Sequence, residues 1–445
     1  MKRFAPILVL ACLGWSVLVT AGSAQVPRFL IVGDSWAEEQ WLDGSHARVF
    51  DSRDLADIGI SGELTTESGS EAGDWITSEY LNRISAALAQ YPHIDTVQLT
   101  VGGNDFLGSW NTGYTSEQFQ ALLDFISNDV GLITDFILNQ HPHIEVVLSL
   151  YDYPNFEDTR DGLIWTFACS PLWNELGQPT PAEINGAAIT VIDEIDTLTD
   201  ENERVRLVNH FGQAQNFFGL PGHPPGSITP PGLIDQPSPA EAMRTRFLGG
   251  GLDCFHFNQD AYDVLVANLV DQYLDDRYAS GLELTVSGLE VEYNGLPQQP
   301  VIVTEPADQS PLLTVNGQTG QPVDAGIYAV IVTVPGWRQD WSGTFSIMPA
   351  SQQIDFPQPD PLPSDQETYP LSASATSGLP VEFEVLSGPA SLDGDVLVLE
   401  GTAGTVVVLA TQPGDDNWQP AESLTREIEI LPVSDELFRD RFEPQ

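Results

Sequence analysis

The spacing of apolar residues changes once along this chain, near residue 284, and that change asks for two kinds of architecture. Before it, apolar runs that end in turn residues alternate with helical stripes. Arg28–Gly33, Thr96–Val101 and Ile144–Leu150 read as strands, and Val205–Val208 as a fourth. Between and after them, helical spacing runs over Ser70–Gln90, Ser116–Asn139 and Asn258–Tyr273; in the second of these Phe119, Leu122, Ile126, Val130, Ile133 and Ile137 share a side. Strands alternating with helices predict an α/β fold, a parallel sheet covered on both faces, over residues 26–279. From 285 to 432 the helical spacing is gone. Short alternating runs such as Tyr328–Val334 and Val406–Ala410 lie between Gly, Pro and Asp turns, which predicts two small β-sandwich modules, 285–350 and 351–432, before a charged tail at 433–445. Within the α/β part, residues 165–250 read as an insertion, and its Gly/Pro clusters at 220–226 and 229–232 read as a functional loop or lid.

Charge removes several classes of function. The chain carries 16 basic and 64 acidic residues, a formal net charge of −48, and Lys2 is its only lysine. A phosphate-binding P-loop, a Schiff-base enzyme and the S-x-x-K hydrolases all need a lysine that is not there. Binding along nucleic acid is likewise excluded, since there is little positive charge to displace counterions. The scattered acids read as a solvated surface rather than a calcium array, and His141-Pro142-His143 as a solvated turn rather than a metal site.

The start of the chain has the layout of a secretory signal: Met1-Lys2-Arg3, an apolar run from Phe4 to Thr20, then small residues up to a cleavage point after Ala24. Export is therefore expected, with the product secreted and no membrane insertion, because no later run approaches the ~18 apolar residues of a span. Removal of the signal leaves two cysteines, Cys169 and Cys254. In an oxidising compartment a pair of leftover cysteines forms a disulfide; two separate buried thiols are the alternative.

Four short segments carry the chemistry. Gly33-Asp34-Ser35-Trp36 follows a strand and precedes a helix, so Ser35 falls on a strand-to-helix turn where the helix N-terminus favours developing negative charge. Gly59–Gly62 is a small-residue loop whose amides can approach a ligand. Gly102-Gly103-Asn104-Asp105 follows the second strand and presents the Asn104 amide at the sheet's carboxyl edge. Asp253-Cys254-Phe255-His256 leads into the last helix, and an Asp three residues before a His can accept from one ring nitrogen and leave the other as a base. Each segment alone has an ordinary reading as a turn, a loop or a helix cap. Together they gather where open α/β sheets place their ligands.

In this order the four segments resemble the blocks of the SGNH, or GDSL-type, serine hydrolases, over residues 29 to about 275. The resemblance implies a flavodoxin-like sheet and a carboxylic ester hydrolase that needs no cofactor. It implies Ser35 as nucleophile with His256 and Asp253 completing a triad. The oxyanion hole it implies is formed by Ser35, Gly62 and Asn104. Trp36 stands where Leu is usual, and Cys254-Phe255 fills the gap between the acid and the base. Small acyl esters or acetylated glycans are the expected substrates. A lipase or phospholipase with a lid is an alternative, and so is a surface adhesion or glycan-binding protein with a vestigial hydrolase domain. Farther along, Tyr293-Asn294-Gly295, Asp324–Tyr328 and Gly343–Ile347 resemble bacterial immunoglobulin-like modules of the MBG type, and Thr376–Val381, Gly388–Ala390, Gly401–Gly404 and Asn417–Ala421 a related one. Glycan or cell-surface contact through these modules is the partner this resemblance leaves open.

Overall fold

The computed structural model describes residues 26–160, 169–245 and 251–433; the signal segment 1–24 and all but the first residue of the 433–445 tail lie outside the described residues. The chain divides into two compact units, Met1–Ser280 with Pro335–Arg338, and Gly281–Val334 with Gln339–Gln445.

The first unit starts on β1 (Pro27–Gly33), an almost wholly buried strand flanked on both sides, as a central parallel strand must be. After α1 (Ser35–Leu42) and α2 (Ser45–Ser52) comes β2 (Gly59–Ser61), then α3 (Ala72–Trp75) and α4 (Ser78–Gln90). The single helix expected over 70–90 is thus interrupted at Ile76-Thr77. Then follow β3 (Thr96–Thr100), α5 (Gly103–Ser109), α6 (Ser116–Leu138), β4 (Glu145–Ser149), α7 (Cys169–Glu175), α8 (Pro181–Glu201), β5 (Val205–Val208) and α9 (Gln213–Phe218). A hairpin of β6 (Met243–Thr245) and β7 (Leu252–Phe257) leads into α10 (Gln259–Leu269). Among the described residues, five parallel strands are ordered β2-β1-β3-β4-β5. The order reverses between β1 and β3, and that switch point is where such sheets open a crevice at their carboxyl ends.

Alternation along β1 sends Leu30 and Val32 to a core shared with α4, α6 and α8, and Phe29 and Ile31 to one shared with α2 and α10. The helices begin where their sequences cap them. Thr115 and Gln118 form a capping box at α6, Thr180 and Glu183 another at α8, and the Asn258 side chain accepts from the Ala261 amide at α10. Among the described residues no helix is long and apolar enough to cross a membrane.

One correction follows for the segment read as an insertion. α8 and β5 lie inside it, yet they are the crossover helix and the edge strand of the sheet itself. Residues 233–238, directly after the Gly/Pro clusters, are held by side-chain amides. Gln215 Nε2 donates to the carbonyls of Leu233, Gln236 and Pro237, Asn185 Nδ2 to those of Ile234 and Gln236, and Asn155 Nδ2 to that of Ser238. A loop without ladder partners must satisfy its carbonyls some other way, and buried amide side chains do so here.

The second unit holds two small β-sandwiches. In the first, β8 (Glu283–Ser287) pairs with β10 (Val301–Glu305), while β9 (Glu290–Glu292), β11 (Leu312–Val315), β12 (Gly326–Thr333) and β13 (Asp340–Met348) form a second sheet around Val330, Val332, Phe345 and Ile347. In the second, strands 382–387, 404–411, 424–431 and 362–363 face strands 368–370, 390–393 and 396–399. Val406, Val408 and Ala410 point inward at every second residue to meet Leu397, Ile428 and Ile430.

Candidate active site

Ser35 opens α1 directly beyond β1. The turn is as tight as the backbone allows: Gly33 has φ +149°, and a Cβ there would fall 2.0 Å from the Thr100 carbonyl oxygen, which accepts from the Asp34 amide at 2.9 Å. Asp34 caps the helix through its Oδ1, which accepts from the Trp36 amide at 3.0 Å. Its Oδ2 accepts from the Tyr151 hydroxyl at 2.5 Å, and Tyr151 Oη accepts in turn from the Gly103 amide at 2.9 Å. Gly103 has to be glycine, since a Cβ would meet the Tyr151 ring at 2.6 Å. Burial drives the Asp34 carboxyl up to about 7 against the Tyr151 and Trp36 hydrogen bonds. The loop after β3 is thereby fastened to the loop after β1.

The other half of the site sits on β7. His256 Nε2 lies 2.7 Å from Ser35 Oγ, and His256 Nδ1 lies 3.1 Å from Asp253 Oδ2. A carboxylate at Nδ1 fixes the proton there and leaves Nε2 as the acceptor of the Ser35 hydroxyl. Asp253 Oδ1 accepts from the amides of Phe255 and His256, each at 3.2 Å, which sets the carboxylate against the ring. Aromatic packing holds the two halves in register. Trp36 touches Tyr151, Phe257 and Tyr262 at centroid distances of 5.3, 4.9 and 5.6 Å. Trp36 thus joins α1 to β7.

Cys169 and Cys254 are joined by a disulfide, so β7 is bonded, between Asp253 and His256, to the start of α7. The Cys254 carbonyl also accepts from the Asn155 amide at 2.7 Å.

Asn104 reaches the site from α5, and its Nδ2 donates to the Ser70 carbonyl at 2.8 Å. Gly62 does not reach it. Ser61 pairs at the level of Leu30, after which the chain leaves the sheet and rejoins it only at Thr66, opposite Gly33. Gly62 is therefore held below the carboxyl edge, where an added Cβ would sit 3.0 Å from the Trp41 ring. Among the described residues the segment at the edge is Glu67–Ser70. The Glu67 amide donates to the Gly33 carbonyl, Ser68 donates to Glu38 on α1, and Ser70 takes the Asn104 bond, which puts Gly69 between α1 and Asn104. The Ile-Ser-Gly pattern at 60–62 drew attention from the later Ser68-Gly69-Ser70. Only the loop-out after Ser61 reveals which glycine is near the rim.

Two further contributors have no sequence signal of their own. Tyr151 bridges Asp34 and Gly103, and Arg244 on β6 pairs with Glu39 of α1 while its Nη2 lies 3.7 Å from Asp253 Oδ2. Of the remaining histidines, His210 is buried between Ser149 Oγ and Asn268, and His46 bonds Gln98 Oε1 at 2.7 Å; burial lowers them to about 3 and about 4. His141 and His143 stack on one another at 5.2 Å.

The chain has recognisable company. A family model described as MBG domain matches residues 283–351. Solved structures similar to the chain include a GDSL-like lipase from Bacteroides thetaiotaomicron, 14% identical, covering 55% of this chain and 86% of its own, with a TM-score of 0.31. A carbohydrate esterase family 3 protein from Talaromyces cellulolyticus is 12% identical over 56% of this chain and 96% of its own, with a TM-score of 0.32. A carbohydrate acetylesterase from Sinorhizobium meliloti is 14% identical over 56% of this chain and 98% of its own, also with a TM-score of 0.32. No curated protein matches the chain. The roles assigned below rest on the distances and partners just described.

Proposed function

We propose that the first unit is a carboxylic ester hydrolase acting through Ser35, His256 and Asp253. The observation that carries this reading is the continuous Ser35–His256–Asp253 hydrogen-bond chain, 2.7 Å and then 3.1 Å, standing at the switch point of a parallel sheet. His256 Nε2 takes the Ser35 proton as Oγ attacks the ester carbonyl. Asp253 accepts from Nδ1–H and stabilises the imidazolium that results. The tetrahedral oxyanion is held by the Ser35 amide and the Asn104 side chain, with the Gly69 amide in the place first expected of Gly62. Collapse expels the alkoxide, which takes the proton from His256. Water, deprotonated by the same nitrogen, then releases the acid and restores Ser35.

The test is turnover of p-nitrophenyl esters by the purified chain and its Ser35→Ala variant. Loss of turnover in a variant with an unchanged melting curve supports the reading, and equal turnover in the two proteins refutes it. Secretion belongs to the same proposal, as does glycan or cell-surface contact through the 283–351 module. An exported product whose N-terminus reads Gln25, and co-sedimentation with insoluble polysaccharide, are the corresponding expected results.

A further inference from the structure

Beside Ser35 a cleft runs between α5 and α8. It is lined by Ser35 and Asn104 and by a mostly apolar surface that includes Phe106, Ala188, Ile192 and Phe255. We propose that this cleft is the acyl-binding pocket, and that the preferred substrates are esters of straight apolar acyl chains longer than acetyl. The inference rests on Ser35 being the nucleophile. It departs from the expectation of small acyl esters, because the lining assembles apolar surface from residues scattered between 34 and 255.

His256 must give its proton to the departing alkoxide, so the alcohol leaves on the side of Nε2. The cleft is lined by Ser35 and Asn104 and continues over apolar surface. The acyl chain is the part of the ester left for that surface once the alcohol is directed to His256.

The polar side chains at the cleft are already engaged, so they offer little to a sugar or a charged acyl group. Asp152 accepts from the amides of Tyr153, Gly212 and Ala214. Tyr151 is held between Asp34 and Gly103, and Asn104 gives one amide hydrogen to Ser70 and reserves the other for the oxyanion. What remains is apolar surface, packed firmly enough that Ile192 and Ile195 are 5% and 1% exposed. A pocket of this kind gains from each methylene it takes out of water and has nothing with which to hold a hydroxyl or a carboxylate.

The experiment is the series of p-nitrophenyl acetate, butyrate, hexanoate and octanoate, read as kcat/KM for the full chain, alongside labelling by a fluorophosphonate. The expected result is a rise of about fourfold per methylene, the factor that burying one CH₂ converts to, until the chain outgrows the cleft. Ala188 is only partly buried and borders the cleft, so Ala188→Trp fills the space and is expected to lower the hexanoate-to-acetate ratio by at least tenfold. Acetate equal to or better than hexanoate, with Ser35 labelled, overturns the pocket and leaves the nucleophile standing. No turnover of any ester and no label on Ser35 overturns the nucleophile, and the pocket with it. The wild-type series decides the question even where the tryptophan variant fails to fold.

Discussion

Each polar group around Ser35 has a partner that sets its role, and the partners differ in how much they are worth. Asn104 Nδ2 gives one hydrogen to the Ser70 carbonyl, and in the proposed mechanism its second meets the oxyanion. Asn104→Ala is expected to lower kcat by ~10²–10³ with little change in KM. Steady-state kinetics within threefold of wild type would remove Asn104 from the oxyanion hole. Arg244 is a positioning residue, about one third exposed and 3.7 Å from the Asp253 carboxylate, so solvent screens most of its field. Arg244→Ala is expected to cost about fivefold or less, and a loss as large as that of Asn104→Ala would mean that Arg244 does more than orient the acid. Asp34 gives a test by pH. Its carboxyl keeps its proton up to about 7 in the folded chain against an ordinary value of 3.8. Between those values the folded state holds a proton that the unfolded state has lost. This contribution to stability is therefore whole below about pH 4 and disappears as pH rises through about 7. Urea midpoints should show Asp34→Asn gaining on wild type across that window; a constant gap would contradict the raised value.

At the scale of elements, the hairpin of β6 and β7 carries both Asp253 and His256. It is fixed by the Cys169–Cys254 bond, the Asn155–Cys254 hydrogen bond and the Trp36 cluster. The bond closes a separation of 85 residues, on the order of 4 kcal/mol in the chain-entropy view, so it stabilises the unit as well as placing His256. Reduction is expected to lower turnover before far-UV circular dichroism changes, and unchanged turnover under a reductant shown to open the bond would refute the link. The strands β1, β3, β4 and β5 were legible because buried parallel strands are written as continuous apolar runs. β7 was not, because Asp253 and His256 break the apolar pattern for the sake of the site. β2 was missed for a related reason: three residues that begin on Gly59 and stop before Gly62 give no period to read. The same brevity hid the loop-out that separates Gly62 from the rim and brings Gly69 there.

For the whole molecule, the boundary between α/β and all-β architecture could be read near residue 284, since the change from helical to alternating spacing is a bulk property of many residues. The pocket could not be read, since its lining comes together only when the fold brings α5 and α8, both held by α6, to the two sides of one cleft. The surface follows from composition. With 64 acids against 16 basic residues, repulsion between surface carboxylates opposes the compact state until salt screens it. The melting temperature should rise between about 0.05 and 0.5 M NaCl as the Debye length shortens, and a flat or falling curve would show that the acids are already compensated locally.

The most direct test of the catalytic account is to treat the folded chain with a fluorophosphonate and locate the adduct by peptide mass spectrometry. The account predicts one adduct, on Ser35, with labelling strongly slowed in His256→Ala because the base that activates the hydroxyl is gone. An unlabelled Ser35 in folded protein, or labelling as fast without His256 as with it, would contradict it.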